Sequence, residues 1–226
     1  MIFDFSGTLF RCEPVDSWLR AVLADAGIDA ADDEVGAAVA RLRANGAMPG
    51  LPPESPVPAH LSEVWARRDL APDDHRAAYT ALARQAALPW PGLEDALYER
   101  HRVPQAWHPF PDTTPALRLL RDRGVPVAVL SNIAWDVRPT FQHHGTDEFI
   151  SGYVLSFREG MVKPDPRIFG RACELLGHDP AEVLMVGDNV VADGGASAIG
   201  CTFRTVAHLP PQQRPSALLE VVSDVG

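Results

Sequence analysis

Met1-Ile-Phe-Asp4-Phe-Ser6-Gly7-Thr8-Leu-Phe10 is the stretch on which the fold turns. An apolar run reads as the end of a buried strand and delivers Asp4. A Gly-Thr turn follows at once. A carboxylate held at a strand end beside a tight turn is a candidate covalent nucleophile. The strand is very short, and no basic-then-apolar leader stands before it.

Downstream, apolar runs alternate with helical patterns. Val127–Ser131, Tyr153–Ser156, Val183–Gly187 and Cys201–Val206 read as strands, and Ile2–Asp4 as a fifth. Between them, 136–144, Pro166–Leu176 and 190–199 read as helices. Strand–helix alternation at this spacing predicts parallel strands with helices on both faces. Residues 14–103 differ. Apolar residues recur at three and four in 16–26 and 73–84, with shorter helical patterns at 60–68 and 93–102. Proline joints at Pro49, Pro52, Pro53, Pro56, Pro58, Pro89 and Pro91 divide them. The expected fold class is α/β: a Rossmann-like open parallel sheet from 1–13 and 104–226, with an all-helical domain inserted at 14–103.

Composition narrows the function classes. A formal charge of −10 argues against nucleic acid or an anionic membrane as partner. It does not forbid a phosphate monoester, because a local cation overrides the global field. Cys12, Cys173 and Cys201 are scattered and odd in number, as expected of reduced thiols in the cytoplasm. No apolar run approaches membrane-spanning length. The expectation is therefore a soluble cytoplasmic chain, with no signal for oligomeric state. Lys163 is the one lysine in a chain that uses arginine elsewhere. A compact ammonium reaches crowded oxygens that a guanidinium cannot.

In an open parallel sheet, ligands bind beyond the carboxyl ends of the strands. Polar residues gather there in chain order: Asp4, Ser131-Asn132, Lys163, then Asp188 with Asp193 five residues on. Each alone has an ordinary reading as turn residue, surface charge or helix cap. At successive strand ends they read as one site.

The wording of these segments resembles the four motifs of the haloacid dehalogenase-like (HAD) hydrolases. Asp4-Phe-Ser6-Gly-Thr resembles the first, Leu130-Ser131-Asn132 the second, and Lys163-Pro-Asp-Pro-Arg-Ile-Phe169 the third. Gly187-Asp188-Asn189 with Asp193 and Gly195-Ala196 resembles the fourth. The resemblance covers the whole chain, the helical insert matching the family's cap domain, which shuts over the site. It implies Asp4 as nucleophile, with Ser131 and Lys163 holding phosphoryl oxygens. It further implies Mg²⁺ held by Asp4, Asp188 and the backbone carbonyl of Ser6, and Asp193 is counted with them as a metal-site residue. Three converging carboxylates against one ammonium call for a divalent cation, and hard oxygens suit Mg²⁺. Asn132 and Arg11 are the expected substrate-binding residues. Arg11 stands where the family commonly has an acid, so it could clamp a second anionic group. The rival reading pairs it with a neighbouring glutamate such as Glu13.

Position 6 departs from the family pattern, which places a second aspartate there as general acid and base. Serine does neither well at neutral pH, and losing such help costs about 10²–10⁴-fold. The implied activity is Mg²⁺-dependent hydrolysis of a small phosphorylated metabolite through an aspartyl-phosphate. A good leaving group such as an acyl phosphate, or a group supplied by the cap, would compensate. The alternatives are an impaired ligand-binding or regulatory protein and a metal-free dehalogenase, the latter disfavoured by Asp188 and Asp193. A phosphonoacetaldehyde hydrolase needs a cap lysine, and the insert has none.

Overall fold

The computed structural model describes residues 1–50 and 56–224. The joint prolines Pro52 and Pro53 lie outside them. Among the described residues seven strands are formed: β1 (Ile2–Phe3), β2 (Phe10–Cys12), β3 (Trp107–Pro109), β4 (Ala128–Ser131), β5 (Gly152–Leu155), β6 (Leu184–Gly187) and β7 (Thr202–Thr205). Five make one sheet in the order β5-β4-β1-β6-β7, every neighbouring pair parallel. This is the expected α/β, Rossmann-like architecture, built from the five predicted strands. Strand order reverses between β1 and β6, whose register pairs Phe3 with Val186. Such a switch point is where open α/β sheets bind ligands. β1 has only two residues, yet both are fully buried, because β4 and β6 flank it. β2 and β3 form a separate two-stranded ribbon.

The helices are α1 (Val15–Asp25), α2 (Asp32–Ala44), α3 (Ser62–Arg67), α4 (Pro72–Gln85), α5 (Glu94–Arg100), α6 (Thr113–Asp122), α7 (Arg138–His143), α8 (Ser156–Glu159), α9 (Pro166–Leu176) and α10 (Ala217–Ser223). The chain divides into two compact units, Met1–Arg11 with His108–Gly226, and Cys12–Trp107. The expected boundaries of the insert, 14 and 103, fall just inside the second unit. None of the helices among the described residues is long and apolar enough to cross a membrane.

In the α/β unit, α9 buries Ile168, Phe169, Ala172 and Cys173 beside Ile2, Ala128, Leu130 and Met185 of the sheet. Its start is set by Asp165, whose carboxylate accepts from the Arg167 N–H, with Pro166 in the first turn. Gly177 in the left-handed region ends it. Cys173 and Cys201, far apart in sequence, meet with sulfurs 3.7 Å apart as buried thiols. The helix read at 190–199 is instead a 3₁₀ run, Asp193–Ile199. Gly194 and Gly195 weaken an α-helix there, and Gly195 lies so close to Pro164 that a Cβ would meet that residue at 2.7 Å.

The helical unit has its own core of Trp18, Leu19, Val22, Leu42, Leu82 and Leu97, with Trp65 and Trp90 packed against it. Trp18 donates its indole N–H to the Leu97 carbonyl at 3.0 Å. His75 and His101 are also buried here, their rings 5.6 Å apart, and His75 Nδ1 lies 3.1 Å from the Tyr98 hydroxyl. Burial, then the charges of Arg68 and Arg102, pulls His75 down to about 3. Burial, then His75 and Arg102, holds His101 well below the ordinary histidine value. An unfolded histidine takes up a proton near pH 6.5, whereas these stay neutral in the folded chain. Their contribution to stability is therefore complete above pH 6.5 and is lost as pH falls below it, for His75 down to about 3. Denaturation at pH 7 and at pH 5 should differ by roughly 1–2 kcal/mol from His75 alone, with His101 acting in the same direction. His75→Gln should reduce that difference, and an unchanged pH dependence would contradict the account.

Candidate functional site

The first loop is a tight turn closed by its own backbone. The Phe5 carbonyl accepts from Leu9 N and Phe10 N, and Gly7 N donates to the Phe10 carbonyl at 2.7 Å. Ser6 bridges Phe10 in parallel fashion, so Phe5 and Gly7 make the bonds while the N–H and C=O of Ser6 point away from that ladder. Gly7 takes a φ of +85°, which disfavours any residue with a Cβ. Asp4, just beyond β1, is held from behind by its N–H, which donates to the Val186 carbonyl at 2.9 Å. Thr8, fully buried, donates its hydroxyl to Asp4 Oδ2 at 3.3 Å.

Lys163 is the hub. Its ammonium donates to Asp4 Oδ1 at 2.7 Å, to Asp193 Oδ1 at 2.6 Å and to the Leu130 carbonyl at 3.1 Å. Three donors meet three acceptors in a side chain 3% exposed. Burial works against its charge, but Asp4 and Asp193 outweigh that and raise its pKa. Asp4 is pushed up to about 7, chiefly by burial; Lys163 opposes the shift, while Asp193 and Asp188 add to it. The other Asp193 oxygen accepts from Asn189 N at 2.9 Å. Gly187 makes this approach possible, since a Cβ there would come 2.1 Å from Asp193 Oδ2.

Ser131 ends β4, buried at 2% exposure. Asn132, expected to bind substrate, bonds the Lys163 backbone on both sides. Its Oδ1 accepts from Lys163 N at 2.7 Å and its Nδ2 donates to the Lys163 carbonyl at 3.0 Å. Asn132 therefore fixes the backbone that carries the ammonium. Arg11 does not take the pairing with Glu13 that the sequence offered. Both Glu13 oxygens are bound by Arg100, at 2.7 and 3.0 Å. Arg11 keeps a buried Nη1 with no hydrogen-bond partner among the described residues.

Asp4, Asp188 and Asp193 bring ligand oxygens within 4.8 Å of one another. Two residues that the sequence reading missed adjoin them. His208 Nδ1 lies 2.6 Å from Asp188 Oδ2, and the buried Arg214 donates to the Gly7 carbonyl at 2.7 Å. No local pattern announces either; both depend on how the chain returns after β7.

A parallel α/β sheet with a helical insertion carries an acidic strand-end cluster, two of its carboxylates bonded to one lysine. A family profile described as haloacid dehalogenase-like hydrolase matches residues 1–199. The chain belongs to that family. It is 31% identical over 211 residues to a phosphoserine phosphatase of Thermus thermophilus, covering 85% of this chain and 82% of that protein. It is 32% identical over 142 residues to human haloacid dehalogenase-like hydrolase domain-containing protein 3, covering 62% of this chain and 53% of that one. The chain spans about half the length of that human protein and of its bovine and mouse counterparts. A solved structure of a dehalogenase covers 97% of this chain and 93% of its own, with 26% identity and a TM-score of 0.65.

Proposed function

We propose that the chain is a Mg²⁺-dependent phosphatase acting on a small phosphorylated metabolite through Asp4. The observation that carries this reading is the charge imbalance: three carboxylates converge within 4.8 Å, and one ammonium is bonded to two of them. An incoming phosphate would worsen that excess unless a cation joined it. The donor set fits such an ion. Asp4, Asp188 and the Ser6 carbonyl, the ligands that the resemblance implies, are a hard oxygen set that suits Mg²⁺, and Asp193 completes the acidic cluster beside them. When bound, the ion supplies positive charge against the phosphoryl oxygens.

The protein groups divide the remaining work. An Asp4 oxygen attacks phosphorus, and the bond to the leaving oxygen breaks in line. The Ser131 hydroxyl holds a phosphoryl oxygen, and the Lys163 ammonium, fixed by Asp4, Asp193 and the Leu130 carbonyl, stabilises the phosphoryl charge through its field. Ser6 offers no efficient proton for the departing group, so the favoured substrates are those whose leaving oxygen is a weak base, acyl phosphates foremost. Arg11 suits a second anionic group on the same metabolite.

Phosphate release from acyl phosphates, sugar phosphates and an aryl phosphate, each with Mg²⁺ and with a chelator, tests this reading. Release that the chelator abolishes is expected, fastest on the acyl phosphates. Chelator-insensitive halide release from 2-haloacids would establish the dehalogenase reading instead. Ligand binding with neither release would establish the binding-protein reading.

A further inference from the structure

The chain comes back to its own catalytic loop after β7. The family match ends at residue 199, and the segment 207–214 lies beyond it. This segment is anchored on both sides. Before it, Val206 N donates to the Gly187 carbonyl at 2.9 Å. After it, buried Asp112 receives Leu218 N at 2.6 Å and Leu219 N at 3.2 Å, tying down the start of α10. Arg214 crosses the loop from within, bonding to the carbonyls of Gly7 and Thr8 and stacking 3.5 Å from the Phe110 ring centroid. His208 stands at the other end of the segment against Asp188. The fit is close: a Cβ on Gly7 would lie 2.3 Å from Asp188 Oδ2 and 2.4 Å from His208 Nδ1.

Each carboxylate of the cluster needs something to fix it. Asp4 has Lys163 and Thr8, and Asp193 has Lys163 and the Asn189 N–H. Asp188 is the most exposed of the three, at 16% against 9% and 1%. We infer that His208 is the positioning residue for Asp188, and that 207–214 is a strap completing the cation site from outside the family's matched region. The inference rests on the reading that the cluster takes a divalent cation. A carboxylate oxygen accepts, so the imidazole donates from Nδ1. That bond commits Oδ2, leaves Oδ1 for a ligand, and removes the side chain's rotational freedom in advance. Hydrogen bonds of this kind behind a metal ligand are worth about 10–100-fold in metal affinity.

Calorimetric titration of the full chain with Mg²⁺, without substrate, reads the effect directly. His208→Ala should weaken binding by about tenfold or more. His208→Asn, whose amide can donate from near the Nδ1 position, should stay within about threefold of wild type. The His208 side chain is 41% exposed, so neither change opens a core. Equal Mg²⁺ affinity in wild type and His208→Ala would overturn the strap and leave the metal reading standing. Weakening in both variants alike would also overturn it, since the donated bond would not be the cause. No Mg²⁺ binding by the wild type would overturn the metal reading itself.

Discussion

Lys163→Met is expected to destabilise the chain by about 3–5 kcal/mol at neutral pH, the range for removing one partner from a buried ion cluster. Methionine keeps the length and most of the volume of the aliphatic stem, so the loss isolates the charge. All three ammonium protons are in use, on Asp4, Asp193 and the Leu130 carbonyl. Without them, two carboxylates that are 9% and 1% exposed lose their common counter-ion. Lys163→Arg is not expected to rescue stability, because a planar fork does not match three acceptors arranged around one point. Lys163→Met/Asp193→Asn should recover part of the loss, with a coupling of about 1–3 kcal/mol, because the second change removes one uncompensated charge. Urea denaturation followed by circular dichroism measures all five proteins, the Asp193→Asn single variant and wild type included. A loss below about 1 kcal/mol in Lys163→Met would mean that the ion cluster contributes no more than an exposed pair.

The legible part of this molecule is the part written in chain order. Five apolar runs of strand length predict the sheet, and polar residues at the ends of three of them, Asp4, Ser131 and Asp188, mark its carboxyl edge. Chain order adds Lys163 and Asp193, and the fold brings all five to one edge without further help. Of the missed helices, α2 has a weak signal. α2 buries only Val35, Ala38 and Leu42, two of them small or β-branched, and carries Gly36 in its first half. The contacts that local pattern does not show are those set by long-range partners. Glu13 finds Arg100 across 87 positions of sequence instead of its neighbour Arg11. Asn132 finds the Lys163 backbone, 31 positions away. His208 and Arg214 are further cases, since their meaning depends on a return path fixed by the capping of α10. Local pattern locates an element; it does not choose among distant partners of similar charge.

Ser6→Asp is expected to raise the turnover of poor-leaving-group phosphate esters by about 10²–10⁴-fold, the usual range for general acid–base assistance. The backbone of the loop should tolerate the change. Ser6 is only part-buried, its peptide groups lie outside the Phe5–Phe10 ladder, and the carbonyl offered to a cation belongs to the main chain at either residue. The gain should depend on the leaving group. An alkoxide needs the proton when the bond to phosphorus breaks, so sugar phosphates should gain most. A carboxylate leaves without it, so an acyl phosphate should gain only in the later hydrolysis of the aspartyl-phosphate. Rapid-quench measurements separate the two steps: wild type should accumulate the phospho-enzyme on acyl phosphates, and Ser6→Asp should shorten its lifetime. Asp4→Asn should bring both backgrounds to the uncatalysed rate, because the gained carboxylate assists a nucleophile and does not replace one. Equal gains on sugar and acyl phosphates, with no change in phospho-enzyme lifetime, would place the proton's source elsewhere in the site.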